Sequence, residues 1–196
     1  MKLYSDCLDR DLPLVAKKKI TSEQIAEKVF LIYNSYAFRE KEDLQYEIYK
    51  KISEEFKIPI TSIQLCGSGK IGYSYYKSKP FDSRNSDLDI AIINSDLFNF
   101  YLEKSFLDSD GLQNTFFTNT EYKKSFIRYL SHGWLRPDFM PKSDLKKQWF
   151  RFFGLLSNHY AKYFAGINAG IFLSEKMFSY RQKSVVEKYK QEKGFF

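Results

Sequence analysis

Asp87 and Asp89 in "SDLDIAII", with the Gly-Ser turn upstream in "LCGSGKIG", are the residues whose types and spacing could do chemistry. The aliphatic, β-branched run after Asp87 predicts a strand, whose side chains alternate between two faces. Leu88, Ile90 and Ile92 then point into a core, while Asp87 and Asp89 lie side by side on the other face. Two carboxylates so placed repel each other, and burial sharpens the cost, unless cations sit between them. The arrangement suits a pair of divalent ions about 3.5–4 Å apart, the geometry that clamps the oxygens of a phosphoryl-transfer reaction. Oxygen-only ligands favour Mg²⁺ or Mn²⁺. The same spelling also fits a solvated strand end, so the upstream turn has to carry weight. Gly67 permits close approach of backbone to a polyphosphate, and Ser68 offers a hydroxyl. The amides that follow, from Gly69 onward, open a short helix toward the anion. Lys70 either neutralises phosphate charge or is a surface lysine. A Walker A loop is excluded, because Gln64 stands where its first glycine belongs and Ile71 where its hydroxyl belongs.

Strand, Gly-Ser turn, helix and a strand bearing Asp-x-Asp resembles the DNA polymerase β-like nucleotidyltransferase superfamily. The matching elements are "LCGS" at 65–68 and "DLDI" at 87–90. The resemblance implies a nucleotidyltransferase-like α/β (α+β) fold, a small mixed sheet flanked by several helices. It further implies an enzyme that moves an NMP from an NTP substrate to a hydroxyl acceptor, with two Mg²⁺ (or Mn²⁺) ions as cofactors. Gly67, Ser68, Gly69 and Lys70 would bind the nucleotide. Asp87 and Asp89 would be catalytic metal ligands, joined by a third acid on a later strand. Asp138 in "RPDFMP" is the best match for that third acid; a turn aspartate after Pro137 is the competing reading, and Glu121 and Asp110 are weaker stand-ins. The interval from Ser68 to Asp87 is longer than the family's usual one, through "YSYYKSKPFDSRN". Its Lys77, Lys79 and Arg84 either reach over a ligand or belong to an inert surface loop. "PFDSRNSDLDIAII" is also similar to bacterial nucleotidyltransferase-fold proteins of phage-defence and toxin settings. A catalytically inactive, nucleotide-sensing or regulatory module on the same fold is the alternative, favoured if Asp138 fails to reach the pair.

The elements that must position these residues are legible as patterns. "TSEQIAEKVFLIYNSYAF" carries Thr21 and Gln24 at capping-box spacing and Ile25, Val29, Ile32 and Tyr36 at helical intervals. "KEDLQYEIYKKISEEF" repeats the pattern with Leu44, Ile48, Ile52 and Phe56. "IPITSIQLCG" reads as a strand, "SDLFNFYLEKSF" as a helix capped by Ser95, and "NTEYKKSFIRYLSHG" as a helix closed by Gly133. "WLRPDFMP" reads as a proline-bounded strand. A long helix follows from Ser143 or Asp144, and the last runs from about Ser174 to Lys190. The segments are an N-terminal helical part (1–57), the nucleotidyltransferase-like core (58–141) and a basic helical part (142–196), packed as one unit.

Composition sets the outer bounds. At 196 residues with 43% hydrophobic and 28% charged content, the chain can bury a single well-formed core. No run reaches the roughly 18 apolar residues of a membrane span, and Cys7 and Cys66 make no disulfide framework, so a cytoplasmic, reducing setting is expected. His132 and His159 have no ligand-spaced partner. The formal charge of +7 is concentrated from Pro141 onward, where 11 Lys and Arg face 4 Asp and Glu. Such a basic third either steers an anion toward a cleft or forms a solvated helix face. With 19 Phe and 15 Tyr the chain carries either an aromatic core or a base-stacking surface. An RNA or tRNA end, a protein hydroxyl or a second nucleotide each suits the acceptor, and a partner protein or homo-oligomer stays open.

Overall fold

The computed structural model describes residues 20–192 and residue 194; Cys7 lies outside them. The aliphatic alternation of "DLDIAII" forms strand β4 (Asp87–Ile93) at the centre of a four-stranded mixed sheet ordered β1-β4-β6-β5. β1 (Ile63–Cys66) pairs with it antiparallel, setting Cys66 opposite Asp89. β6 (Gly166–Phe172) pairs with it parallel, setting Gly166 beside Asp87 and Asn168 beside Asp89. β5 (Trp134–Leu135) closes the far edge against β6. A separate two-stranded hairpin, β2 (Tyr73–Ser74) and β3 (Lys79–Pro80), rises from the segment before β4. The expected small mixed sheet flanked by helices is therefore the fold.

The two faces of β4 bury different things. Leu88, Ile90 and Ile92 enter the larger core with Ile48 and Ile52 of α2 (Glu42–Phe56) and Trp149, Phe153 and Leu156 of α6 (Asp144–His159). On the other face, Ala91 joins a second cluster with Ile25 and Ala26 of α1 (Ser22–Glu27) and Phe178, Val186 and Tyr189 of α7 (Glu175–Glu192). These helices cover the later half of that face and leave the end bearing Asp87 and Asp89 open.

Local chemistry explains most boundaries. Thr21 and Gln24 form the capping box in both directions. The helix it starts does not run to Tyr36: after Glu27 it widens into a π-turn (Lys28–Ile32), and Tyr36 belongs to a separate 3₁₀ turn. The extra residue in that turn rotates Ile32 outward, to 75% exposure, instead of into the apolar stripe. α4 (Ser95–Leu107) is capped by the Asn94 side chain, which accepts from the Leu97 N–H at 2.8 Å; Ser95 is its first helical residue. α5 (Thr120–Leu130) is capped by Asn119, and Ser143 caps α6. "WLRPDFMP" is only briefly a strand: Pro137 opens a 3₁₀ turn (Pro137–Phe139) because its missing N–H and fixed φ end the pairing after Leu135.

One further expectation is corrected. "GINAGIF" is a central strand, so the 142–196 part is not purely helical but supplies β6. The insert before β4 is an anchored hairpin: Tyr75 and Phe81 are buried, and Asp82 binds the Arg84 N–H and the Asn85 amide. Among the described residues no helix is long and apolar enough to cross a membrane.

Candidate functional site

The open end of β4 forms one wall of a cavity of about 280 Å³. Its lining comes from Cys66 and Gly67 at the β1 turn, Asp89, Trp134, the Arg136–Asp138 turn, Asn168 and Gly170 of β6, and Arg181 and Ser184 of α7. Segments far apart in the chain thus converge on Asp89, while Asp87, two residues earlier on the same face, lies outside the lining.

Gly67 begins α3 (Gly67–Ile71) with φ +62°, in the left-handed region. A Cβ built on it would strike Oδ2 of Asp89. The turn therefore packs directly on the carboxylate, and only glycine permits that approach. On the β6 side, Gly166 plays the same part: a Cβ there would lie 2.9 Å from Oδ1 of Asp87. Asn168 donates through Nδ2 to Oδ2 of Asp87 at 3.2 Å. The two acids are thus flanked by the Gly67 turn after β1, against Asp89, and by Gly166 and Asn168 of β6, against Asp87.

Asp89 keeps accessible surface toward the cavity while protein crowds the rest of its carboxyl. That desolvation, then the charge of Asp87, pushes its pKa up to about 6, against the pull of Lys77 and Arg136. The carboxylate pair is under-compensated by protein charge alone, which is the condition a bound cation would relieve. Cys66 lies alongside, its Sγ donating to the Asp89 carbonyl at 3.2 Å. Burial pushes that thiol above its ordinary range.

The remaining expected residues divide. Asp138 lines the same cavity, but its Oδ2 is ion-paired to Arg136 at 2.8 Å, and the 3₁₀ turn holds it. Among the described residues no group of three or more His, Cys, Asp or Glu comes together to hold a metal, so Asp138 does not complete a three-acid set. Neither stand-in lines the cavity: Glu121 pairs with Lys124, and Asp110 binds the Gln113 amide. The residue in register with Asp89 on the neighbouring strand is Asn168, an amide. Two carboxylates match the one or two protein ligands that Mg²⁺ commonly takes, with phosphate oxygens and water completing its shell.

Within the turn, Ser68 is half-buried beside Gly67, whereas Gly69 is buried against Leu65, Leu88 and Phe81. Lys70 departs from its expected role. Its side chain is buried, and Nζ donates to the Tyr33 carbonyl at 2.5 Å, tying α3 to the segment after α1. It does not line the cavity that holds Asp89.

Sequence reasoning passed over four residues that the fold brings here: Trp134, Arg136, Asn168 and Arg181. The Arg136 guanidinium lies 5.1 Å from the Trp134 ring centre, 5.1 Å from Tyr129 and 5.0 Å from Phe139. Arg181 lies 5.3 Å from the same Trp134 ring, which stacks on Phe172 at an interplanar angle of 9°. Arg136 stood visibly beside the Pro-Asp pair in "RPDFMP". Trp134 stands in the same segment two residues earlier, whereas Asn168 and Arg181 depend on β6 and α7 returning to the site from far along the chain. At the mouth, Tyr76 of the hairpin binds Ser184 Oγ at 3.0 Å and lies under Lys188 at 4.0 Å.

Comparison with known proteins finds no family model, curated protein or solved structure that matches this chain.

Proposed function

We propose that this chain binds a nucleoside triphosphate together with one divalent cation at the Asp87–Asp89 edge, as a nucleotide-sensing or regulatory module of nucleotidyltransferase-like design. The observation that carries the reading is the acid pair on one face of β4, held in contact with the Gly67 turn and, among the described residues, joined by no third His, Cys, Asp or Glu that could share a metal. A Mg²⁺ or Mn²⁺ ion supplies charge neutralisation between acids and phosphates. The chain's own residues do the rest. Asp87 and Asp89 present oxygens to the ion, and Asn168 fixes the orientation of Asp87. Gly67, without a side chain, brings the turn's backbone to the cavity beside Asp89. Thermal unfolding with each NTP tests this: stabilisation is expected with Mg²⁺ present and is lost with EDTA or in Asp87→Asn. Equal stabilisation with and without metal would remove the reading.

A second reading, nucleotidyl transfer to a hydroxyl of RNA (a tRNA end included), a protein or another nucleotide, is favoured by the raised proton affinity of Asp89, since perturbed acids cluster at reactive sites. Here the acceptor oxygen attacks the α-phosphorus as the bond to pyrophosphate breaks, and Asp138 is the carboxylate across the cavity that an acceptor would meet. Incubation with α-labelled NTPs separates the two readings: label transferred by the wild-type chain and not by an Asp87/Asp89 double variant supports transfer. A regulatory module would in turn require a partner protein or a second copy of the chain.

A further inference from the structure

We propose that Arg136 and Arg181, gathered on the Trp134 indole, form an anion subsite for the polyphosphate of the bound nucleotide, with Arg181 as its uncommitted cation. The proposal rests on the nucleotide reading above and extends it to residues on β5's flank and on α7. Both guanidiniums lie within 5.3 Å of one ring centre. Ring contact favours each cation singly, but two like charges drawn to one ring repel each other. Asp138 compensates Arg136 at 2.8 Å. Arg181 has no such partner among the described residues: its guanidinium is exposed and hydrogen-bonds only to Ser184 Oγ, at 3.2 Å. A planar fork with free N–H groups, set 5.3 Å from the centre of an aromatic ring, matches phosphate oxygens in pairs. The position agrees with the acid pair. Both arginines line the cavity that contains Asp89 and Gly67. A chain of phosphates anchored by a cation at Asp87 and Asp89 would extend across the cavity floor onto the arginines.

The probe is inorganic tripolyphosphate, titrated calorimetrically with Mn²⁺ and again in EDTA, against wild type, Arg181→Gln, Arg181→Lys and Asp89→Asn. Mn²⁺ alone is followed by electron paramagnetic resonance. Loss of one charge-assisted contact predicts about tenfold weaker tripolyphosphate binding in Arg181→Gln. Mn²⁺ binding should be unchanged in that variant, and Arg181→Lys should fall in between. Wild-type tripolyphosphate affinity in Arg181→Gln overturns the subsite. Undiminished Mn²⁺ binding by Asp89→Asn would instead overturn the nucleotide reading, and the arginine comparison in EDTA would still decide the subsite. Because Arg181 is exposed, its variants are expected to keep the wild-type melting temperature, which checks that they fold.

Discussion

Asp89→Asn should make the metal-free protein more stable at neutral pH. Its carboxyl titrates at about 6 in the folded chain against an ordinary 3.8. Below about pH 3 the group is largely protonated in both states and costs little. As pH rises the unfolded chain ionises first, so a penalty on the folded state grows and is complete above pH 6. At about 1.4 kcal/mol per pH unit the gap corresponds to roughly 3 kcal/mol. Asp89 retains accessible surface, so solvent screening brings the expected figure to about 1 kcal/mol. Asparagine keeps the shape and removes the charge, giving a rise in melting temperature of about 2–4 °C at pH 7.5 in EDTA. The advantage should shrink toward zero as pH falls to about 3, and Mg²⁺ should stabilise wild type while leaving the variant unmoved. A variant equal to or less stable than wild type at pH 7.5, with no dependence on pH, would refute the electrostatic reasoning.

Gly67→Ala forces a left-handed φ on alanine and drives a methyl into Asp89, so a loss of about 1–2 kcal/mol in urea unfolding is expected, together with weaker Mn²⁺ binding. Lys70→Met removes the donor to the Tyr33 carbonyl and should cost about 1–3 kcal/mol of stability without changing nucleotide affinity, as calorimetry would show. Asn168→Asp restores a carboxylate beside the pair; Mn²⁺ titration should show tighter binding, and unfolding in EDTA at pH 7.5 a lower stability than wild type.

The acid pair was readable because a strand's period of two is written directly in Asp87, Leu88, Asp89 and Ile90, and burial follows it. The helices over 42–56 and 144–159 were readable because their apolar spacing, and for the second its Ser143 cap, are local. β6 was not: Gly166, Ala169 and Gly170 weaken its strand signal. Yet Gly166 and Gly170 are small because Asp87 and Trp134 press against them, a long-range cause that leaves no local mark. Without β6, the neighbour of Asp89 could not be identified as Asn168. Asp138 attracted the third-acid role through its sequence context, while Pro137 in front of it turned the chain away from the sheet. Lys70 looked like a phosphate ligand by position, but the helical turn of Gly67–Ile71 swings it toward Tyr33. The arginine pair was hidden because Arg136 and Arg181 meet only when α7 packs back over the sheet.

Calorimetric titration of each NTP with Mg²⁺ into wild type and into Asp87→Asn tests the central claim most directly. Saturable, Mg²⁺-dependent binding by wild type, weakened at least tenfold by the single oxygen-to-amide change, is the predicted result. Equal affinity in both proteins, or binding indifferent to Mg²⁺, would contradict it.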